Sequence, residues 1–61
     1  MHYAILLRLD ATGARPVLVR EGDELACEKG VRWRYVAEAD DYGEAVRVTE
    51  VLQRRCEAGE L

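Results

Sequence analysis

Residues 31–55, VRWRYVAEADDYGEAVRVTEVLQRR, constrain the fold more than any other part of the chain. Val31, Trp33, Tyr35 and Ala37 alternate with Arg32, Arg34, Val36 and Glu38, the period of a strand with one buried face. The β-branched and aromatic residues in this stretch favour the same conformation. Asp40 or Asp41 then caps a helix, and Asp41 with Glu44 three residues later matches the looser form of a capping box. Beyond them, with each residue turning about 100°, Ala45, Val48, Thr49, Leu52 and Cys56 share one stripe, bordered by Tyr42 and Val46. Glu50 and Arg54 form a favourable pair one turn apart, and Arg54 and Arg55 suit the negative end of the helix dipole. Gly43 weakens the first turn by about 1 kcal/mol relative to alanine, and Gly59 supplies a stop. A strand feeding a capped amphipathic helix needs further strands to complete the layer that the helix covers.

Those strands lie upstream. Residues 2–10 alternate, with Tyr3, Ile5, Leu7 and Leu9 on the apolar side and His2, Ala4, Leu6, Arg8 and Asp10 on the other. The run Asp-Ala-Thr-Gly-Ala-Arg at 10–15 carries turn chemistry. Pro16 fits the first position of a second strand over 16–20, where its missing N–H is tolerated, with Val17 and Val19 facing inward. Residues 21–30 admit two readings. Asp23 can cap a short helical or irregular turn over 23–29 with Gly30 beyond it, or Gly22-Asp23 can turn the chain into a fourth strand carrying Leu25 and Cys27. The first is preferred. The expectation is a single α+β domain over residues 1–61: a small antiparallel sheet of three strands, four on the second reading, with one long C-terminal amphipathic helix on one face. The order is β-β-turn-β-α, with strands near 2–10, 16–20 and 31–38, a helix over 41–57 and a frayed tail at 58–61. The expected core is Tyr3, Ile5, Leu7, Leu9, Val17, Val19, Val31, Trp33, Tyr35, Ala45, Val48, Leu52 and Cys56. On that assignment, truncating Trp33 to alanine costs roughly 3–5 kcal/mol.

A 61-residue chain buries only about 60% of its unfolded surface, so its core is thin, and domains of this size often gain stability from a disulfide, a metal or a second subunit. Two cysteines, Cys27 and Cys56, are too few for a disulfide-dense secreted scaffold, though one bridge between them remains open. The single histidine, His2, cannot complete a four-ligand zinc site with them. There is no signal-peptide pattern and no apolar run long enough to span a bilayer, so a cytoplasmic protein with reduced thiols is expected.

No cofactor, metal or catalytic site is expected. The chain has no serine, no Gly-rich phosphate loop and no histidine placed beside a cysteine, and so lacks the parts of nucleophilic catalysis. Glu38, Asp40, Asp41 and Glu44 lack the spacing of a calcium loop, and helix capping explains them more simply. What the pattern offers is a surface. If the alternation holds, Arg8, Arg20, Arg32 and Arg34 lie beside Leu6, Leu18 and Val36 on the sheet face away from the helix, while Val51 stands exposed on the helix. An arginine-rich, half-apolar face suits a homodimer, since interfaces are enriched in arginine and depleted in lysine. The acids Glu21, Asp23, Glu24, Glu28, Glu38, Asp40 and Asp41 could then meet the arginines of a second copy. The expected function is therefore a small non-enzymatic protein-interaction module that self-associates through the sheet face or an edge strand. The alternative is nucleic-acid binding through the same arginines, opposed by the net charge of −3 and by Trp33 and Tyr35 pointing the other way. A third reading is a phage or mobile-element inhibitor presenting its acidic helix end and loops to a basic protein.

Overall fold

In the computed structural model, which describes residues 2–25 and 27–60, the elements are β1 (Tyr3–Asp10), β2 (Gly13–Arg20), β3 (Arg32–Ala39) and α1 (Tyr42–Glu57). The strands form one antiparallel sheet in the order β2-β1-β3, and the C-terminal helix packs on it, giving an α+β arrangement.

The β1–β2 hairpin is tighter than expected. Asp10 faces Gly13, leaving only Ala11 and Thr12 in the loop. The Asp10 carboxylate accepts from the Thr12 N–H at 2.8 Å and from its hydroxyl at 2.5 Å, and Gly13 takes φ +130° at the strand start. This shape favours glycine because a side chain there would be strained. Strand β2 thus starts three residues before Pro16, which sits mid-strand opposite Leu7. The position is tolerated because β2 is an edge strand, where a missing donor need not break the ladder.

Directly opposed residues in an antiparallel pair share a face. Ile5 opposes Leu18, while Leu6 opposes Val17 and Ala4 opposes Val19. Leu18 therefore joins the core, and Val17 and Val19, expected inside, lie on the far face. On the other side of β1, Tyr3 opposes Ala39 and Ile5 opposes Ala37, but Leu6 opposes Tyr35, so β3 carries one extra residue at Val36. This β-bulge reverses the facing of everything before it. Beyond it Arg8 opposes Trp33, while Leu7 and Leu9 oppose Arg34 and Arg32. Trp33 and Tyr35 are thereby moved out of the expected core to the face away from the helix, and Val36 packs into it.

The helix starts as the capping pattern implies, with the Asp41 carboxylate accepting from the Glu44 N–H at 3.0 Å. Its end is a Schellman motif: Glu60 N–H donates to Arg55 O at 2.8 Å, Gly59 N–H donates to Cys56 O at 3.1 Å, and Gly59 adopts φ +76°. Residues 58–60, placed in the frayed tail on sequence grounds, form this motif, and Leu61 lies outside the described residues. Tyr42 in the first turn meets Tyr3 edge to face, with ring centroids 5.6 Å apart.

Residues 21–31 form an irregular connection with turns at 21–22 and 29–30, and neither a helix nor a fourth strand appears among its described residues. Both neighbours of β1 are antiparallel to it, so β2 and β3 run parallel and this segment must travel from one end of the sheet to the other. Arg8, on the face away from the helix, reaches Glu28 of the segment at 3.2 Å. Near its end, at Glu28, the connection therefore lies against that face.

The core is small. Among the described residues, Ile5, Leu7, Ala39 and Ala45 are the fully buried apolar side chains. Tyr3, Leu18, Val36, Ala37, Val48 and Leu52 pack around the cluster of Ile5, Ala39 and Ala45.

Candidate interaction surface

The seven residues expected on the sheet face away from the helix do not share it; Val51 is expected apart from them, on the helix. Leu6 and Arg8 lie on the sheet face away from the helix. Leu18 and Val36 pack into the core. Arg20, Arg32 and Arg34 oppose Tyr3, Leu9 and Leu7 and thus lie on the helix side. Val51 is on the helix, 46% exposed, in a shallow groove with Arg47, Val48, Leu52 and Arg55.

What the register brings together instead is a mostly apolar face. Ala4 and Leu6 of β1 are flanked by Val17 and Val19 of β2 and by Trp33 and Tyr35 of β3. Most of these side chains are half-buried, while Tyr35 is 55% exposed. Towards the hairpin end of this face lie two arginines, Arg8 and the exposed Arg15 opposed to it, and Arg8 is engaged by both Asp10 and Glu28. The Thr12 hydroxyl and N–H, with Arg8 beside them, hold the Asp10 carboxyl below its ordinary range.

At the opposite end of the face, four side chains form a chain of polar contacts. The Tyr35 hydroxyl donates to Glu38 Oε2 at 2.5 Å, and His2 Nε2 meets the same oxygen at 3.0 Å. His2 Nδ1 lies 3.2 Å from Asp40 Oδ1. A doubly protonated imidazole donates to both carboxylates. Asp40 first, and Glu38 after it, accordingly raise the His2 pKa above its ordinary 6.5. The hydrogen bonds from Tyr35 and then His2 hold Glu38 below its ordinary value, and bonding to Glu38 raises the Tyr35 phenol. The contacts tie the start of β1 to the end of β3 at an exposed corner of the sheet.

Strand β3 forms one edge of the sheet and carries a divided charge: Arg32 and Arg34 in its first half, Glu38 near its end and Asp40 just after it. All four are exposed. Cys27 and Cys56 are free thiols. No helix among the described residues is long and apolar enough to cross a membrane.

The aromatic pair on the far face and the His2 cluster escape a reading by simple alternation. The length of the Asp-Ala-Thr-Gly turn was a usable signal, because a two-residue loop sets Leu18, rather than Val17 or Val19, opposite Ile5. Nothing in the local sequence marks the bulge at Val36. No protein-family model, no curated protein and no solved structure matches this chain.

Proposed function

We propose that this chain is a small non-enzymatic interaction module that self-associates through its sheet, by the face carrying Trp33 and Tyr35 or by an edge strand. The observation that carries this reading is the mismatch between surface and core. The chain exposes 4613 Å², whereas a folded monomer of its 6.9 kDa mass is expected to expose roughly 4,000 Å². It is also a slab, with extents of 32 × 27 × 11 Å, and a flat body leaves a large fraction of its apolar atoms in water. A second copy relieves that deficit, and the broad side of the slab is comparable with the roughly 800 Å² that each partner contributes to a standard interface.

Nucleic-acid binding is the second reading, favoured by one specific observation: Trp33 and Tyr35 stand on the same side of β3, as base-stacking aromatics do on RNA-binding sheets. Electrostatics weigh against it. Of the two arginines on this face, Arg8 is already paired with two carboxylates, and Glu38 opposes Ala4 on the same face.

Sedimentation equilibrium at low and high salt tests the proposal. A dimer at micromolar concentration is expected. A strict monomer up to about 100 μM, where even weak specific complexes form, refutes self-association.

A further inference from the structure

We infer that the step between α1 and β3 docks an extended acidic segment of another protein, with carboxylates on Arg32, Arg34, Arg47 and Arg55 and an apolar side chain against Val51. The inference goes beyond self-association and does not depend on it, because the step lies on the other side of the sheet from Trp33 and Tyr35.

The helix is not centred on the sheet. It packs mainly over β2, where Tyr42 shares a depression with Leu18 and Arg20 at one end and Cys56 shares another with Ala14 at the other end. Val51 follows Tyr42 by nine residues, about two and a half turns, and so stands on the opposite flank of the helix. That flank is turned away from β2, towards the side of the sheet where β3 lies. Arg47 and Arg55 sit one turn before and after Val51, and the three line one groove with Val48 and Leu52. On the sheet, Arg34 and Arg32 oppose Leu7 and Leu9 and so lie on the helix side. The two sets share a level: Cys56 is beside Ala14, Ala14 opposes Leu9, and Leu9 opposes Arg32. Arg55, next to Cys56 in the chain, therefore stands across from the Arg32 end of β3.

All four arginines are exposed, and among the described residues none of them makes an ion pair or a side-chain hydrogen bond. Acidic groups nearby in sequence do not neutralise them. Glu50 and Glu57 are turned about 100° or more from Val51 around the helix, and the Asp10 carboxylate is held by Thr12 and Arg8. Glu44 alone shares the flank, at its lower end. A chain of net charge −3 thus carries four uncompensated positive charges in a body of −7.

The chemistry of the step selects its occupant. Guanidinium forks take carboxylates in two-pronged pairs. Arg32 and Arg34, two residues apart on β3, are spaced about 7 Å, the repeat at which alternate side chains of an extended peptide stand. Between Arg47 and Arg55 the groove is floored by Val48, Val51 and Leu52, and Val51 is 46% exposed. An apolar side chain set between carboxylates gains burial there, which a phosphate backbone does not. Among the described residues no aromatic side chain lines the step, since Trp33 and Tyr35 are on the far face and Tyr42 is on the other flank. The stacking platform used for single-stranded nucleic acid is therefore missing, and the negative body repels a long polyanion.

The probe is a short fluorescein-labelled peptide that alternates glutamate and serine around a central leucine, titrated with the full chain and read by fluorescence anisotropy. Saturable binding with a Kd of about 100 μM or tighter is expected. Arg32→Glu/Arg34→Glu and Arg47→Glu/Arg55→Glu, each with the wild-type circular dichroism spectrum, should each weaken it by at least about tenfold, whereas Arg15→Glu/Arg20→Glu, the same charge change away from the step, should leave it within about twofold. Replacing the leucine of the peptide with serine should weaken binding about threefold or more. No binding to the wild type, or equal losses in all three variants, overturns the site. An oligothymidylate that binds more tightly than the peptide and is lost in the same two step variants overturns the acidic segment in favour of nucleic acid. Sedimentation of the variants separates this inference from self-association. The step variants are expected to keep the wild-type oligomeric state while losing the peptide. If the wild type is a dimer and they are monomers, the occupant is a second copy and an outside segment is overturned. A monomeric wild type that binds the peptide refutes self-association and upholds the docking step.

Discussion

Replacing Ile5 with alanine is the sharpest probe of which way the sheet faces. Ile5 is 0% exposed and is the largest fully buried side chain among the described residues. Its cross-strand neighbours on the core side are Leu18 and Ala37, and the buried cluster around it is completed by Ala39 and Ala45. Three of these four are alanines, with no rotamers to swing into a vacated space, so only Leu18 and the surrounding Tyr3, Val36, Val48 and Leu52 can close part of the cavity. Buried Ile→Ala changes cost about 2–5 kcal/mol, with the larger values where collapse is poor. A cost of about 3 kcal/mol or more is therefore expected. The whole domain should hold only about 3–9 kcal/mol at its length, so the substitution removes a third or more of the total. For a domain this small, 3 kcal/mol lowers the Tm by about 12–24 °C. Leu6→Ala, one residue away on the opposite face and half-buried, should cost less than about 1.5 kcal/mol. Urea unfolding followed by the fluorescence of Trp33, the single tryptophan, reads both. A Leu6→Ala variant as destabilised as Ile5→Ala would refute the assignment of the helix to the Ile5 face.

Two smaller perturbations report on local devices. Asp41→Ala removes the side-chain acceptor of the Glu44 N–H and should cost about 0.5–2 kcal/mol, whereas Asp41→Asn should restore most of it. Equal melting temperatures for all three proteins would rule out the cap. By NMR titration, His2 should show a pKa above 6.5 that falls towards that value in Asp40→Asn and, to a smaller extent, in Glu38→Gln. Because the folded-state pKa of His2 is raised, its contribution to stability is complete below pH 6.5 and fades as pH rises through the folded value. That of Glu38, whose pKa is lowered from 4.5, is complete above 4.5 and fades as pH falls through its folded value. The corner should therefore be tightest between those two ordinary values, and a His2 titration at or below 6.5 contradicts the geometry.

The elements whose form depends on local chemistry were legible from residue order. The inward set of β1 follows from strict alternation, and α1 follows from the Asp41 cap, the apolar stripe and Gly59. What alternation could not supply was the relative phase of the strands. In β2, Pro16-Val17-Leu18-Val19 is apolar at every position, so its period is silent and only the turn length decides which residue faces Ile5. In β3 the pattern was clear and the inference from it was reversed by one residue. If the pairing of Ile5 with Ala37 continued without interruption, Tyr35 would oppose Leu7 and Trp33 would oppose Leu9, both on the helix side as expected. The inserted Val36 exchanges the aromatics for Arg32 and Arg34. A bulge is a tertiary accommodation between strands more than twenty residues apart, and neither strand records it alone. The candidate surface inherited both phases: Arg32 and Arg34 were assigned through β3 and Arg20 and Leu18 through β2, while Leu6 and Arg8 on β1 keep their place.

The position of β1 at the centre of the sheet also sets how the domain can assemble. The earliest strand must be flanked by a hairpin partner formed at once and by β3, which begins only at Arg32. The helix that covers Ile5 comes later still. Until then the chain can offer only a two-stranded hairpin, which is marginal in water, and closing β3 onto β1 costs loop entropy before any burial offsets it. No smaller piece of the chain contains a core of its own. Folding should therefore be all-or-none, with the helix among the last elements needed and no stable halfway state to populate.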